Sequence, residues 1–460
     1  MLNRTFIAIA TLSLTSASVA QDSLNVRSLF HWDDPLIPIG DAQLQNQYNE
    51  VWGYAANGRE YAFIGSTVGL NVFDVTSPEN SSLVDQVAGR FAGSGVIHRD
   101  YKVHDHHLYA VCDQGPSSLQ IFDLQYLPDS VRLVYDSNDL FFRAHNIQVD
   151  TVNARLYTCG GSNQFSVYSI ADPADPVLLA NLEQDVSWWG SAVGYVHDCF
   201  VRDNIVWCND EDGMHVLDFT DPQQPVLLGA ITTYSNAGYN HSGWMNDDGT
   251  LYVMADETHG SPLKFIDATD VTDLEVGTTV TTGVHPTSVV HNPFFTGNTV
   301  HVAYYHDGYW SWDLTDPDQP VLLGFYDTNP SPNGTTFKGA WGVYPFLPSG
   351  NILVSDMQTG LWVFQTDFST TAGDRPAPPS VRIYPTMTEG PVFVDHLDER
   401  TRSTQVEVIA SNGAVLLRQN GTSRSRMELD LSTYPDGLYL IAIEQAGERV
   451  VQRVIKHDRP

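Results

Sequence analysis

The residues with most scope for chemistry in this 460-residue chain are histidines and carboxylates that recur at regular intervals. In order they are Trp52, Arg99-Asp100, His145-Asn146, His197-Asp198, His241-Ser242, His291-Asn292 and Trp341-Gly342. A second series falls between them: Asp113, Asp210-Glu211-Asp212, Asp256-Glu257, His306-Asp307 and Asp356. Imidazole beside carboxylate suits a divalent transition metal, and calcium where oxygen dominates. The candidate ligand or metal residues are therefore His145, His197, Asp198, Asp210, Glu211, His241, Asp256, Glu257, His291, His306 and Asp307. His197 with Asp210, and His241 with Asp256 and Glu257, are the foremost pairs. An acid beside a metal can serve as a general base, so a metal-dependent enzyme, such as a hydrolase, stands as the alternative to a binding site. The same His-Asn and His-Asp steps also have an architectural reading. Their side chains can tie neighbouring repeats together through backbone hydrogen bonds, and the loop acids can be plain turn residues. No Gly-x-Ser-x-Gly, His-Glu-x-x-His or phosphate-loop motif occurs, and neither catalytic residues nor a ligand can be assigned.

These residues sit on a repeat. Val72-Phe-Asp-Val-Thr76 recurs as 121–125, 167–171, 216–220, 265–269, 311–315 and 363–367, at steps of 49, 46, 49, 49, 46 and 52 residues. A period in the forties fits one four-stranded blade. In the unit 146–182, strands are expected at 146–150, 155–159, 165–170 and 177–182, with the turn Asp172-Pro-Ala-Asp-Pro176 before the last. Seven such units predict a seven-bladed β-propeller, since stacked all-β repeats must hide their edges. In a propeller the first strand of each blade lines the channel. Its start shares a face with the loop between the second and third strands, so the two residue series should converge at one channel mouth. The seventh repeat stops near Phe368, and Val26-Arg-Ser-Leu-Phe-His31 resembles Val321-Leu-Leu-Gly-Phe-Tyr326. Residues 24–31 are therefore expected to pair with the strand 361–367 and close the ring.

Residues 1–20 read as a signal peptide, with Arg4, the apolar run Phe6–Leu14 and Ser18-Val-Ala20 before Gln21. The propeller is expected over 21–368, a linker over 369–379, and a small Ig-like β-sandwich over 380–460. The net charge of −32 is unevenly placed. Residues 380–460 carry 10 Lys+Arg and 11 Asp+Glu, which leaves 13 and 44 for the rest. Nucleic acid is thereby excluded as a partner, because its phosphates would be repelled. No segment beyond the leader is long and apolar enough to span a bilayer as a helix. Cys199 and Cys208 flank Asp203-Asn204 and would face each other across a hairpin. A disulfide there and free buried thiols both remain open. Trp188-Trp189 could be exposed on the mouth face or packed in the core.

Ile383-Tyr-Pro385, Val408-Ile-Ala-Ser-Asn-Gly413, Leu429-Asp-Leu-Ser432 and Pro435-Asp-Gly-Leu-Tyr439 resemble the type A sorting domain of the type IX secretion system. That resemblance implies a protein of the Bacteroidota that the type IX machinery delivers to the outer-membrane surface or the medium. Pro435, Gly437 and Tyr439 carry the motif, and whether the tail is cleaved stays open. The His-Asn and His-Asp units, with Val226-Leu-Leu-Gly229 after Asp-Pro, resemble the LVIVD-repeat proteins called choice-of-anchor B. This second resemblance brings no established activity. It leaves a surface protein, a glycan or a metal ion as the partner to be found.

Overall fold

The computed structural model describes residues 22–329, 331 and 334–368, and within 381–456 the strands with some connecting residues. The expected leader (1–20) and linker (369–379) lie outside the described residues. The chain divides into two compact units, Met1–Ser369 and Thr370–Pro460.

The first unit is propeller-like. Most sheets of its described residues are antiparallel sets of four consecutive strands, typified by Asn146–Asp150, Arg155–Cys159, Phe165–Ser169 and Val177–Asn181, and two sheets take a further or outer strand from residues 23–32. Local chemistry sets the turns. Asp172, Asp221 and Asp316 each fold a side-chain oxygen onto the backbone N–H two residues on, at 2.9, 3.0 and 3.2 Å, ahead of the Pro that releases the outer strand. Asp203 and Asn204 both take positive φ, 52° and 67°, as a two-residue hairpin turn requires. That turn sets Cys199 opposite Cys208.

The first strands of successive sheets pack side by side, from Tyr48–Ala56 through Arg99–His104, Asn146–Asp150, Asp198–Arg202, Asn240–Met245 and Pro293–Thr296 to Ala340–Tyr344. The last of these packs against the first, so the inner strands form a cycle. Apolar side chains fill the spaces between sheets. Tyr157, Phe165, Trp189 and Phe219 form one such layer, with Trp189 fully buried and stacked on Phe165 at 5.4 Å. Of the tryptophan pair, Trp189 is thus core and Trp188 is half-buried.

Val26–Trp32 pairs antiparallel with Gly360–Thr366, from Val26 opposite Thr366 to Trp32 opposite Leu361. The expected junction holds from residue 26 onward. Leu24 departs from it and lies opposite Phe325 on the neighbouring sheet. The cause is Asn25, whose φ of 53° turns the chain and whose Nδ2 donates to the Leu323 carbonyl at 2.8 Å.

All four thiols are free and buried. The Cys199–Cys208 disulfide is not formed. These residues share one apolar layer with Cys159, and the Sγ of Cys199 turns toward that neighbouring sheet, 3.5 Å from the Sγ of Cys159.

The second unit holds two sheets. Val381–Tyr384, Pro391–His396 and Met427–Asp430 form one; Met387–Thr388, Glu448–Lys456, Gly437–Gln445, Thr404–Ala410 and Val415–Gly421 form the other. Val392, Val394, Val406, Val408, Leu429 and Ile441 supply much of its buried core.

Candidate functional site at the mouth of the inner strands

His145, His197 and His291 each lie just before their inner strand, and His241 lies within its own. The backbone N–H groups of His145, His197 and His291 donate to the carbonyls of Cys159, Asn209 and Ala303, the last residues of the second strands. The loop between second and third strands begins just beyond. This pairing is what brings the two residue series to one level.

The imidazoles meet in a closed cycle. Ring centroids are 4.2 Å apart for His98–His145, 4.3 Å for His145–His197, 4.2 Å for His197–His241 and 4.5 Å for His241–His291. Trp341 completes it at 4.2 Å from His291 and 5.3 Å from His98. All but His145 are buried, with exposures between 2% and 6%. His98 is the member that sequence reasoning missed. It directly precedes its strand, as His145 and His197 do theirs, and the Arg99-Asp100 pair was placed one residue late.

The cycle is tied to the backbone of the next sheet. The Nδ1 of His197 bonds the His241 carbonyl at 3.0 Å, and the Nδ1 of His291 bonds the Trp341 carbonyl at 2.6 Å. Asn146 Nδ2 donates to the His197 carbonyl at 3.1 Å, and Ser242 Oγ to that of His291 at 2.7 Å. These bonds carry out the architectural role foreseen for the His-Asn steps. Burial above all pushes the imidazoles of His145, His197, His241 and His291 well below their ordinary pKa, and repulsion from neighbouring rings adds to it.

Below the imidazoles lies a layer of acids. Asp100 pairs with Lys102 at 2.8 Å and also accepts from the Ile147 N–H. Burial raises the carboxyl of Asp198 to about 7 against the opposing pull of Lys102, and it pushes Glu50 up as well. Glu50 occupies the space that Gly342 leaves. A Cβ at Gly342 would meet Glu50 Oε1 at 2.1 Å, and Glu50 Oε2 reaches Asn292 Nδ2 at 3.1 Å. Trp52 lies away from the cycle, packed on Phe294 and Tyr344 with the Lys102 ammonium 4.4 Å from its ring.

The loop acids divide into two groups. Asp113 and Glu257 reach the imidazoles. Asp113 Oδ2 meets His145 Nδ1 at 3.0 Å and its other oxygen lies 3.9 Å from Arg143. Glu257 Oε2 is 4.0 Å from His241 Nε2, while Tyr305 donates its hydroxyl proton to Glu257 Oε1. Burial raises the Glu257 carboxyl to about 7, opposed by that tyrosine bond.

The remaining acids turn back into the scaffold. Asp210 bonds His215 of its own sheet and the Gly213 N–H, so the expected His197–Asp210 pair is replaced by His215–Asp210. Asp256 forms a fully buried ion pair with Lys264 at 2.9 Å and accepts from Tyr234 and Gly238, which leaves Glu257 alone as the acid partner of His241. Glu211 accepts from Tyr239, and Asp356 caps its turn at Gln358 and Thr359. Asp307 accepts from Thr282, and His306 bonds Thr336 at 2.9 Å. Tyr239 and Tyr305, which pack edge-on against His197 and His291, carry no signal in the sequence that marks them apart from core tyrosines.

Comparison with known proteins now bears on this geometry. Residues 382–457 match the secretion system C-terminal sorting domain. The tail is a type IX sorting domain. It marks the chain for export to the cell surface or the medium. No helix among the described residues is long and apolar enough to cross a membrane. No curated protein matches the chain. Among solved structures, the Swd1 (Cps50) β-propeller domain of Myceliophteria thermophila is similar with a TM-score of 0.51 at 9% identity, over 74% of this chain and 98% of that one. That likeness shows the propeller fold alone. PorZ, a surface component of the type IX secretion system of Porphyromonas gingivalis, aligns with a TM-score of 0.46 at 13% identity, over 93% of this chain and 61% of that one.

Proposed function

We propose that this chain is a secreted or cell-surface binding module, with a seven-bladed β-propeller of the choice-of-anchor B, LVIVD-repeat kind over residues 21–368. An Ig-like sorting sandwich follows a short linker, and the type IX machinery is its export partner. The sorting match over 382–457 carries the address. The bond from Tyr439 to the Pro435 carbonyl, 2.6 Å, supports the Ig-like reading, since such sandwiches use a tyrosine to hold a strand corner in this way. The closed cycle of imidazoles supports the mouth as the place of binding. Equivalent positions of successive sheets build it, which suits recognition better than a single asymmetric reaction centre.

Export is tested by deleting 382–457 in a host with an active type IX system. The full chain should appear in the medium or be digested when intact cells are treated with protease. The shortened chain should remain in the periplasm. A shortened chain that still reaches the outside would overturn the assignment.

A further inference from the structure

Two imidazoles of the cycle and one carboxylate come together between the sheets that begin with Asn240–Met245 and Pro293–Thr296. There one ligand-capable atom from each of His241, Glu257 and His291 lies within 4.8 Å of the other two. We propose that these three residues hold a divalent transition-metal ion, zinc being the best match, with a coordination position left open toward the mouth. The inference rests on the mouth being the binding site and names its ligand.

Four observations converge on it. Two imidazoles and one carboxylate are a donor set that zinc and its first-row neighbours accept, and three protein ligands leave a place for a further group. The outer partners suit ligation too. The Trp341 carbonyl holds His291 Nδ1 at 2.6 Å, which leaves Nε2 for a metal, and the Tyr305 hydroxyl holds the second oxygen of Glu257. The charge around it suits a cation too. No Lys or Arg among the described residues pairs with Glu257, whose carboxyl faces His241, so a bound cation would meet no basic side chain in an ion pair there. Finally, His241 is 2% exposed and its Nε2 faces Glu257 Oε2 at 4.0 Å, with no hydrogen bond between them. The Glu257 side chain is 20% exposed and gives the ion a route in. Metal bonds of about 2.0–2.2 Å place ligand atoms roughly 3.3 Å apart, so binding would draw the three together.

The test uses the untagged full chain, stripped with a chelator and equilibrated with zinc or with cobalt(II). Wild type should retain one zinc per chain through gel filtration and show the visible absorption of nitrogen- and oxygen-bound cobalt. Glu257→Gln, which keeps the size of the side chain, should bind zinc at least tenfold more weakly with an unchanged unfolding midpoint. Tyr305→Phe should weaken binding by about 10- to 100-fold, the usual effect of removing an outer partner. Asp210→Asn, whose carboxylate turns back onto His215, should bind as wild type does. Zinc affinity unchanged in Glu257→Gln, or no stoichiometric zinc in wild type, overturns the proposal, as does loss of binding in Asp210→Asn alone. Export of a protein that fails these measurements leaves the surface-module reading standing. Zinc binding by a protein that is not exported sinks only the address.

Discussion

Neutral imidazoles packed against one another make the mouth sensitive to acid. In the unfolded chain histidines titrate near 6.5, whereas burial holds His98, His145, His197, His241 and His291 below that value in the folded state. Between those limits each buried imidazole makes the unfolded state bind more protons and so lowers stability as pH falls from about 6.5. The raised carboxyls of Glu50, Asp198 and Glu257 act the other way, because they take up protons first in the folded state. The imidazole share is therefore read as a difference. His98→Gln removes one titrating ring, so its stability relative to wild type should improve from pH 7 to pH 5 by at most about 1.4 kcal/mol per pH unit. Circular dichroism melts of both proteins check this, and a gap that stays constant with pH would refute it. At this scale the sequence shows the histidines because they recur at one offset of a repeat. It does not show which acids join them. Asp113 and Asp210 occupy matching loops, yet His215, on the strand that directly follows, captures Asp210, and Lys264 captures Asp256. Such choices depend on a third residue whose role is set by packing rather than by spacing.

Strand Val26–Trp32 joins the two ends of the first unit. It covers the edge of Gly360–Thr366 across more than three hundred residues of intervening chain. Removing residues 22–32 should leave that edge bare and convert a monodisperse protein into oligomers, because an unpaired strand edge accepts strands from other copies. Size-exclusion chromatography with light scattering would show it, and a shortened protein that stays monomeric with an unchanged midpoint would sink the expectation. The pairing is legible in sequence because Val26–His31 resembles Val321–Tyr326, the outer strand of the preceding sheet. The exception at Leu24 is not, since it turns on the left-handed backbone of Asn25, and nothing in the pattern of apolar residues marks that conformation. The hairpin at Asp203-Asn204 was readable to the residue for the opposite reason: both types tolerate positive φ, and the flanking strands alternate cleanly.

Across the whole molecule the charge is concentrated. Residues 1–379 carry 44 acidic and 13 basic side chains, and the sorting tail is close to neutral. Self-repulsion of this kind destabilises the compact state and is screened by salt. Raising sodium chloride from about 10 mM to about 150 mM shortens the screening length from roughly 30 Å to 8 Å, so the unfolding midpoint should rise with salt. Calorimetry at the two ionic strengths checks this, and a midpoint that falls would contradict it.

The imidazole cycle also decides how anything can travel along the axis. A gap wide enough for water would leave the ring faces wet, yet four of the five histidines and Trp341 are at most 6% exposed. The cycle therefore stops the axis at its own level rather than leaving a conduit. Whatever enters at the mouth must leave by the same opening, so its dwell time is governed by the loops at that rim and by nothing on the far side.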